Sequence, residues 1–285
     1  MKKTIIAALL TAATFGLTGC GDSTGDINQV SGQQGNPAAP QPTPPAPNEP
    51  QLRLAMMALE YEGLDVLVNG TEVQTDADAG DITNYFEVPS GQSRIQVRRA
   101  GTDVDLLSQN VSLSDDNFHT VVVTGIETDD EVAVLGQAIE GVRLLSLTDD
   151  VTPTANTVSV RFVNAIPFEE GNDASLRTPE DTVIAGPQDP NSASGYVSFN
   201  AALNFDFLFL VLPEAGETWR YETEEGTNQP IFDAIAEAVG EAPANLSIFI
   251  VGDGGDIPAF VTIDEASGGG ETYIFQGERE ETGFI

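Results

Sequence analysis

Leu64-Asp65-Val66-Leu67-Val68, followed by Asn69-Gly70-Thr71, reads as a strand, a tight turn and the restart of a second strand. Asn and Gly tolerate the positive φ that a two-residue hairpin demands, so this step fixes β structure locally. Downstream, Arg94-Ile95-Gln96-Val97-Arg98 alternates strictly. The alternation places Ile95 and Val97 inward and Arg94, Gln96 and Arg98 outward. Residues 118–124 and 141–147 are further compact runs. Pro89-Ser90-Gly91, Ala100-Gly101-Thr102 and Ser114-Asp115-Asp116-Asn117 separate these runs as turns. Many short strands at this spacing predict an antiparallel β-sandwich.

The pattern then begins again after a short polar segment containing Pro153. Val158-Ser159-Val160-Arg161-Phe162-Val163-Asn164-Ala165 echoes Leu52-Arg53-Leu54-Ala55-Met56-Met57-Ala58. Gly195-Tyr196-Val197-Ser198-Phe199 echoes Asn84-Tyr85-Phe86-Glu87-Val88. Leu246-Ser247-Ile248-Phe249-Ile250-Val251-Gly252 echoes His119-Thr120-Val121-Val122-Val123-Thr124-Gly125. The three echoes keep their order, which points to a tandem duplication. The second half adds two features. Residues 231–239 carry Ile231, Ile235 and Val239 on one helical face between Asn228 and Gly240, predicting one short helix. This helix would cover a sheet edge or meet a partner. Residues 205–211 alternate Phe and Leu across both faces, as a central strand buried on both sides does. The same run, if exposed, would serve self-association.

The amino terminus reads as a targeting signal. Met1-Lys2-Lys3 is positive, residues 4–15 are apolar but shorter than the ~20 residues needed to span a bilayer, and Leu17-Thr18-Gly19-Cys20 follows. These four residues resemble the lipobox of bacterial lipoproteins. The resemblance implies cleavage after residue 19, a lipidated Cys20 and a membrane contact through that lipid. Gly21 at the next position leans toward the outer membrane, with the leaflet left open. Cys20 is the only cysteine, so no internal disulfide forms. Residues 20–50 form a linker; seven prolines fall within residues 37–50, favouring an extended arm of roughly 40 Å. Tether and proline-rich recognition motif are the two readings of that arm. The folded domains then run over 51–150 and 157–285.

Composition narrows function. The 285 residues carry 11 Lys+Arg against 45 Asp+Glu, a formal net charge of −34. Nucleic-acid partners are excluded by the scarcity of cations for phosphate. Lys2 and Lys3 are the only lysines, so beyond the signal no Schiff base or P-loop lysine is possible. Such an acidic, lysine-poor surface suits a salty habitat or simply keeps an exposed protein soluble.

The motifs of the first domain carry a family resemblance. Leu64-Asp65-Val66-Leu67-Val68-Asn69-Gly70, Tyr85-Phe86-Glu87-Val88-Pro89-Ser90-Gly91, Ile95-Gln96-Val97-Arg98-Arg99-Ala100-Gly101 and His119-Thr120-Val121-Val122-Val123-Thr124-Gly125 resemble a bacterial family, domain of unknown function 4397 (DUF4397). The resemblance implies an envelope or secreted protein with an Ig-like or transthyretin-like sandwich, arranged in tandem. It implies no catalytic residues.

Little chemistry stands out. His119, the only histidine, begins an apolar strand and reads as structural. One histidine and no free thiol cannot make the usual zinc site. Calcium is the better-motivated ion: Asp76-Ala77-Asp78-Ala79-Gly80-Asp81, with Glu87 at the twelfth position, resembles part of an EF-hand loop. Asp76, Asp78, Asp81 and Glu87 are therefore the candidate ligands, although Gly80 and Asp81 are transposed from the motif and the flanks read as strands. The expectation is an all-β, lipid-anchored envelope protein of two tandem antiparallel sandwiches and one short helix. Its role would be binding, interaction or structure, with an unknown protein or glycan partner and no catalysis. The alternatives are a calcium-stabilised adhesion protein and an acid-pair hydrolase of envelope polysaccharide.

Overall fold

The computed structural model describes residues 48–59, 61, 63–127, 141–155, 157–167, 173–178, 181–200, 207–212, 217–222, 244–252, 258–264, 272–275 and 277–279. Only the backbone is described at 200, 207–212, 217, 219, 222, 272–275 and 277–279. Cys20, most of the linker and the expected helix at 231–239 lie outside these residues. Contacts divide the chain into Met1–Pro45 and Ala46–Ile285.

Among the described residues the second unit is all-β. The first half contains β1 (Gln51–Leu59), β2 (Leu64–Val68), β3 (Thr71–Ala77), β4 (Phe86–Glu87), β5 (Gly91–Arg99), β6 (Asp105–Leu113), β7 (Phe118–Ile126) and β8 (Arg143–Asp149). The second contains β9 (Thr157–Asn164), β10 (Ala174–Arg177), β11 (Val183–Gln188), β12 (Ser192–Ala193), β13 (Val197–Asn200), β14 (Phe207–Leu212), β15 (Glu217–Glu222), β16 (Ala244–Ile250), β17 (Ala259–Ile263), β18 (Thr272–Phe275) and β19 (Gly277–Arg279). Two sheets form in each half. In the first half the orders are β4-β1-β7-β8 and β3-β2-β5-β6. In the second they are β9-β16-β17-β18, with β12 and β13 both on β9, and β11-β10-β14-β15-β19. Each position in the first pair of sheets has a counterpart in the second.

The 64–71 reading holds in detail. Asn69 and Gly70 have φ of 53° and 82°, the two positive values of the hairpin turn that joins β2 to β3. The Asn69 side chain fixes the neighbouring strand, its Oδ1 accepting from the Arg94 backbone N–H at 2.9 Å. Ile95 and Val97 point inward and are fully buried. Gln96 departs from expectation. It lies on the outer face yet is buried, donating to Asp105 Oδ2 at 3.0 Å beneath the Arg98–Asp105 pair.

Pairing is not purely antiparallel. β1 runs parallel to β7, and β9 parallel to β16. Parallel neighbours need a long crossover, which the intervening strands of the other sheet supply. β14 lies centrally between β10 and β15, as its apolar run predicted.

Three apolar cores hold these sheets. Leu52, Leu54, Met56, Val121 and Val123 face Val66, Ile95, Val97 and Leu113, joining the two sheets of the first half. Val158, Val160, Phe162, Leu246 and Ile248 face Leu176, Ile184 and Tyr221 in the second. The third core joins the halves. The opposite faces of β1 and β7 supply Ala55, Met57 and Val122, and those of β9, β16 and β17 supply Val163, Phe249 and Phe260. The sheets containing β1 and β9 are therefore covered on both sides. This explains why β7 and β16 are buried along nearly their whole length rather than at alternate residues. Each large side chain buried there contributes about 1.5–3 kcal/mol.

Candidate functional site

The third core ends in a charged cluster. In β1 the side chains alternate, so Arg53 shares the face of Ala55 and Met57 and enters the space between the halves. Arg161 does the same from β9. Both guanidinium groups are almost fully buried, as are Asp149 at the end of β8 and Asp264 just after β17. Burying four charges is tolerable only when each is paired and hydrogen-bonded.

The pairing is reciprocal across the halves. Arg53 Nη2 bonds Asp264 Oδ1. Arg161 Nη2 bonds Asp149 Oδ1 at 2.6 Å. Each arginine also approaches the second aspartate at 3.9 Å. Arg53 Nε donates to Thr120 Oγ1 at 2.8 Å, and that hydroxyl donates to Asp149 Oδ2 at 2.6 Å. Arg161 Nε donates to Ser247 Oγ at 3.0 Å, and that hydroxyl donates to Asp264 Oδ2 at 2.6 Å. The remaining guanidinium nitrogens reach backbone carbonyls: Arg53 Nη1 reaches Ile263 at 3.4 Å, and Arg161 Nη1 reaches Thr148 at 3.1 Å.

Two tyrosines close the cluster. The Tyr85 hydroxyl donates to Asp149 Oδ2 at 2.7 Å, and the Tyr196 hydroxyl to Asp264 Oδ2 at 2.6 Å. Arg53 lies over the Tyr85 ring, 4.9 Å from its centroid, and Arg161 over the Tyr196 ring at 4.8 Å. Cation–π attraction strengthens when the cation is desolvated, as here.

Proton affinities follow from this packing. Burial opposes ionisation of Asp149, but Arg161 and then Arg53 outweigh it and hold its carboxyl below the usual carboxylate range. Burial opposes charge on Arg53 too, yet Asp264 foremost drives its affinity upward. Both tyrosines are pushed up, chiefly by burial. At neutral pH Arg53 and Arg161 are therefore cations, Asp149 an anion, and Tyr85 and Tyr196 neutral phenols.

The calcium candidates lie elsewhere. Asp76 has φ of 48°, and its N–H donates to Asp65 Oδ1 at 2.9 Å. The Asp78 N–H donates to Asp81 Oδ2 at 3.0 Å, so Asp81 caps its own turn. The Asp81 carbonyl accepts from Met56, whereas Glu87 pairs with Gln51. Five residues of β1 separate those points, roughly 16 Å at ~3.3 Å per residue. Glu87 and Asp81 therefore cannot share one ion. Among the described residues, no group of three or more His, Cys, Asp or Glu is arranged to hold a metal. The turn has another neighbour: Gly80 lies against Phe260 of β17, where a Cβ would overlap the ring. His119 is buried, and its Nε2 accepts from the Ser114 N–H at 3.2 Å, a structural contact.

The charged cluster is what the sequence reading missed. A signal existed. Leu52-Arg53-Leu54 and Val160-Arg161-Phe162 each place an arginine inside an apolar run, and the register sets Arg53 beside Thr120 and Arg161 beside Ser247. No curated protein matches the chain. Residues 50–169 match the model of a family described as Domain of unknown function (DUF4397), and over those residues the chain is similar to that family.

Proposed function

We propose that this chain is a lipid-anchored cell-envelope protein whose folded part is a non-enzymatic binding or structural module. That part is two copies of one β-sandwich domain, locked into a single rigid body. The corresponding strand orders of the two halves support the duplication. So does the placement of the three sequence echoes, which fall on β1 and β9, on β4 and β13, and on β7 and β16. The Lys2-Lys3 start, the apolar stretch and the Leu17–Cys20 motif support the anchor. With Cys20 lipidated and a proline-rich arm behind it, the module would stand off the outer membrane and present its end loops to a protein or glycan.

One observation carries the non-enzymatic reading. The charged groups that converge in the described residues, Arg53, Asp149, Arg161 and Asp264, are buried and bonded to one another rather than presented to a substrate. Expression of the full chain in a bacterial envelope tests both parts. The protein should fractionate with membranes and leave them when Cys20→Ser removes the thiol. A hydrolysis screen against envelope polysaccharides should give no turnover. Unchanged partitioning of the serine variant overturns the anchor, and turnover overturns the non-enzymatic role.

A further inference from the structure

We propose that the face joining the two halves is a self-sufficient docking surface, two-fold in its charges but complementary in size. It would pair a first half only with a second half, including one from another copy of this chain. The charges are two-fold: each half contributes an arginine, a hydroxyl, an aspartate and a tyrosine. Every arginine–aspartate hydrogen bond in the cluster crosses between the halves. On charge alone, two first halves could pair as well, Arg53 of each meeting Asp149 of the other, as in an isologous dimer.

The apolar part of the face breaks that equivalence. Thr120 aligns with Ser247 in the echoed strands, so Val122 stands where the second half has Phe249. Asp149 and Asp264 likewise close β8 and β17, so Leu145 corresponds to Phe260. The second half thus projects two phenylalanines. The first half contributes Ala55, Val122 and the bare Gly80 backbone beside Phe260, while its Met57 stands where the second half has the smaller Ala165. Two second halves would bring phenylalanines against phenylalanines, and two first halves would lack both rings and meet through Met57 instead. Both are unfavourable in an interior packed to crystal density. Between the halves the chain runs only through residues 150–156, and the arginine–aspartate bonds do not involve it. Asn245 Nδ2 donating to the Asp150 carbonyl at 2.8 Å and Thr124 Oγ1 donating to Asn191 Oδ1 at 2.7 Å add to the face at its margins.

The test uses the full chain with a specific protease site inserted in the link at 151–155. Before cleavage it should keep the circular dichroism and elution volume of the parent. After cleavage the two fragments should still elute together at the mass of the uncut protein. Cut samples, one isotopically labelled, are then mixed in urea and diluted to refold. Native mass spectrometry should show labels scrambled between fragments, always as one first half with one second half. Phe249→Val with Phe260→Leu should relax this selectivity, so that pairs of second halves become detectable. Fragments that separate, or that do not re-form pairs, overturn the docking surface. Same-half pairs in the parent sequence, at the level of mixed pairs, overturn the size rule.

Discussion

Arg53 shows how one side chain can matter more than its neighbours in an apolar strand. It is buried with hydrogen bonds to Thr120, Ile263 and Asp264, and truncation strands the carboxylate of Asp264 in the interior. Arg53→Ala or Asp264→Ala should therefore destabilise the protein by about 3–5 kcal/mol, because one buried charge is left without its partner. The double variant should be less destabilised than the sum of the two, which a double-mutant cycle in urea reads directly. Asp149 sets the acid limit. Its folded carboxyl titrates below the ordinary aspartate value of about 3.9, so its stabilisation is present above that pH and is lost as pH falls through the lower, folded value. Asp149→Asn should lower stability at neutral pH and flatten the loss below about pH 4. Tyr85 and Tyr196 act oppositely. Their folded affinities are raised, so their stabilisation is intact below about pH 10 and declines as pH climbs past it, when only the unfolded chain ionises. Unfolding midpoints measured across pH check both limbs. None of this could be read from the strand pattern. A period of two assigns Arg53 to a face but does not say that a second sheet lies over that face.

At the scale of elements, the hairpin at 64–71 was legible because Asn-Gly admits almost no other local geometry, and both residues adopt the positive φ it requires. The inward face of β5 was legible for a similar reason, since Ile95 and Val97 alternate with polar neighbours. The parallel pairings were not. β1 and β7 are far apart in sequence, and nothing local records the direction in which two such strands meet. Turn chemistry misled in one place. The Asp76–Asp81 stretch shares carboxylate spacing with a calcium loop, but Asp81 caps its own turn and Gly80 exists for close approach to Phe260. Gly80 has φ of 96°, so a side chain there would both strain the backbone and overlap the ring. Gly80→Ala should destabilise by about 1–3 kcal/mol. Phe260→Leu in the same chain should recover part of that loss in a urea midpoint, which a purely backbone effect would not allow. Millimolar calcium should leave the melting midpoint of the parent unchanged, since a bound ion would raise it by mass action.

At the scale of the molecule, charge and packing act over different distances. The surface carries a large acidic excess that repels itself, and salt screens exposed charges with a Debye length of about 8 Å at physiological ionic strength. The Arg53–Asp264 and Arg161–Asp149 pairs lie out of solvent and escape that screening. Added salt should therefore stabilise the protein by relieving surface repulsion without weakening the joint between the halves. The joint also decides how the molecule comes apart. The sheets of β1 and β9 are each covered on both faces, so losing one half would expose Met57, or Phe249 and Phe260, in the other and leave two of the four buried charges there without their cross-half partners. Independent unfolding of either half would pay the hydrophobic and the desolvation terms together, a combination no intermediate offsets. Calorimetry on the full chain should accordingly show one transition for the folded unit, with calorimetric and van't Hoff enthalpies in agreement. Arg53→Ala with Arg161→Ala should split it in two, because the halves keep their own cores while the joint is left with two buried carboxylates that no guanidinium offsets. Two resolved transitions in the parent protein would mean that the halves are neighbours rather than one cooperative body.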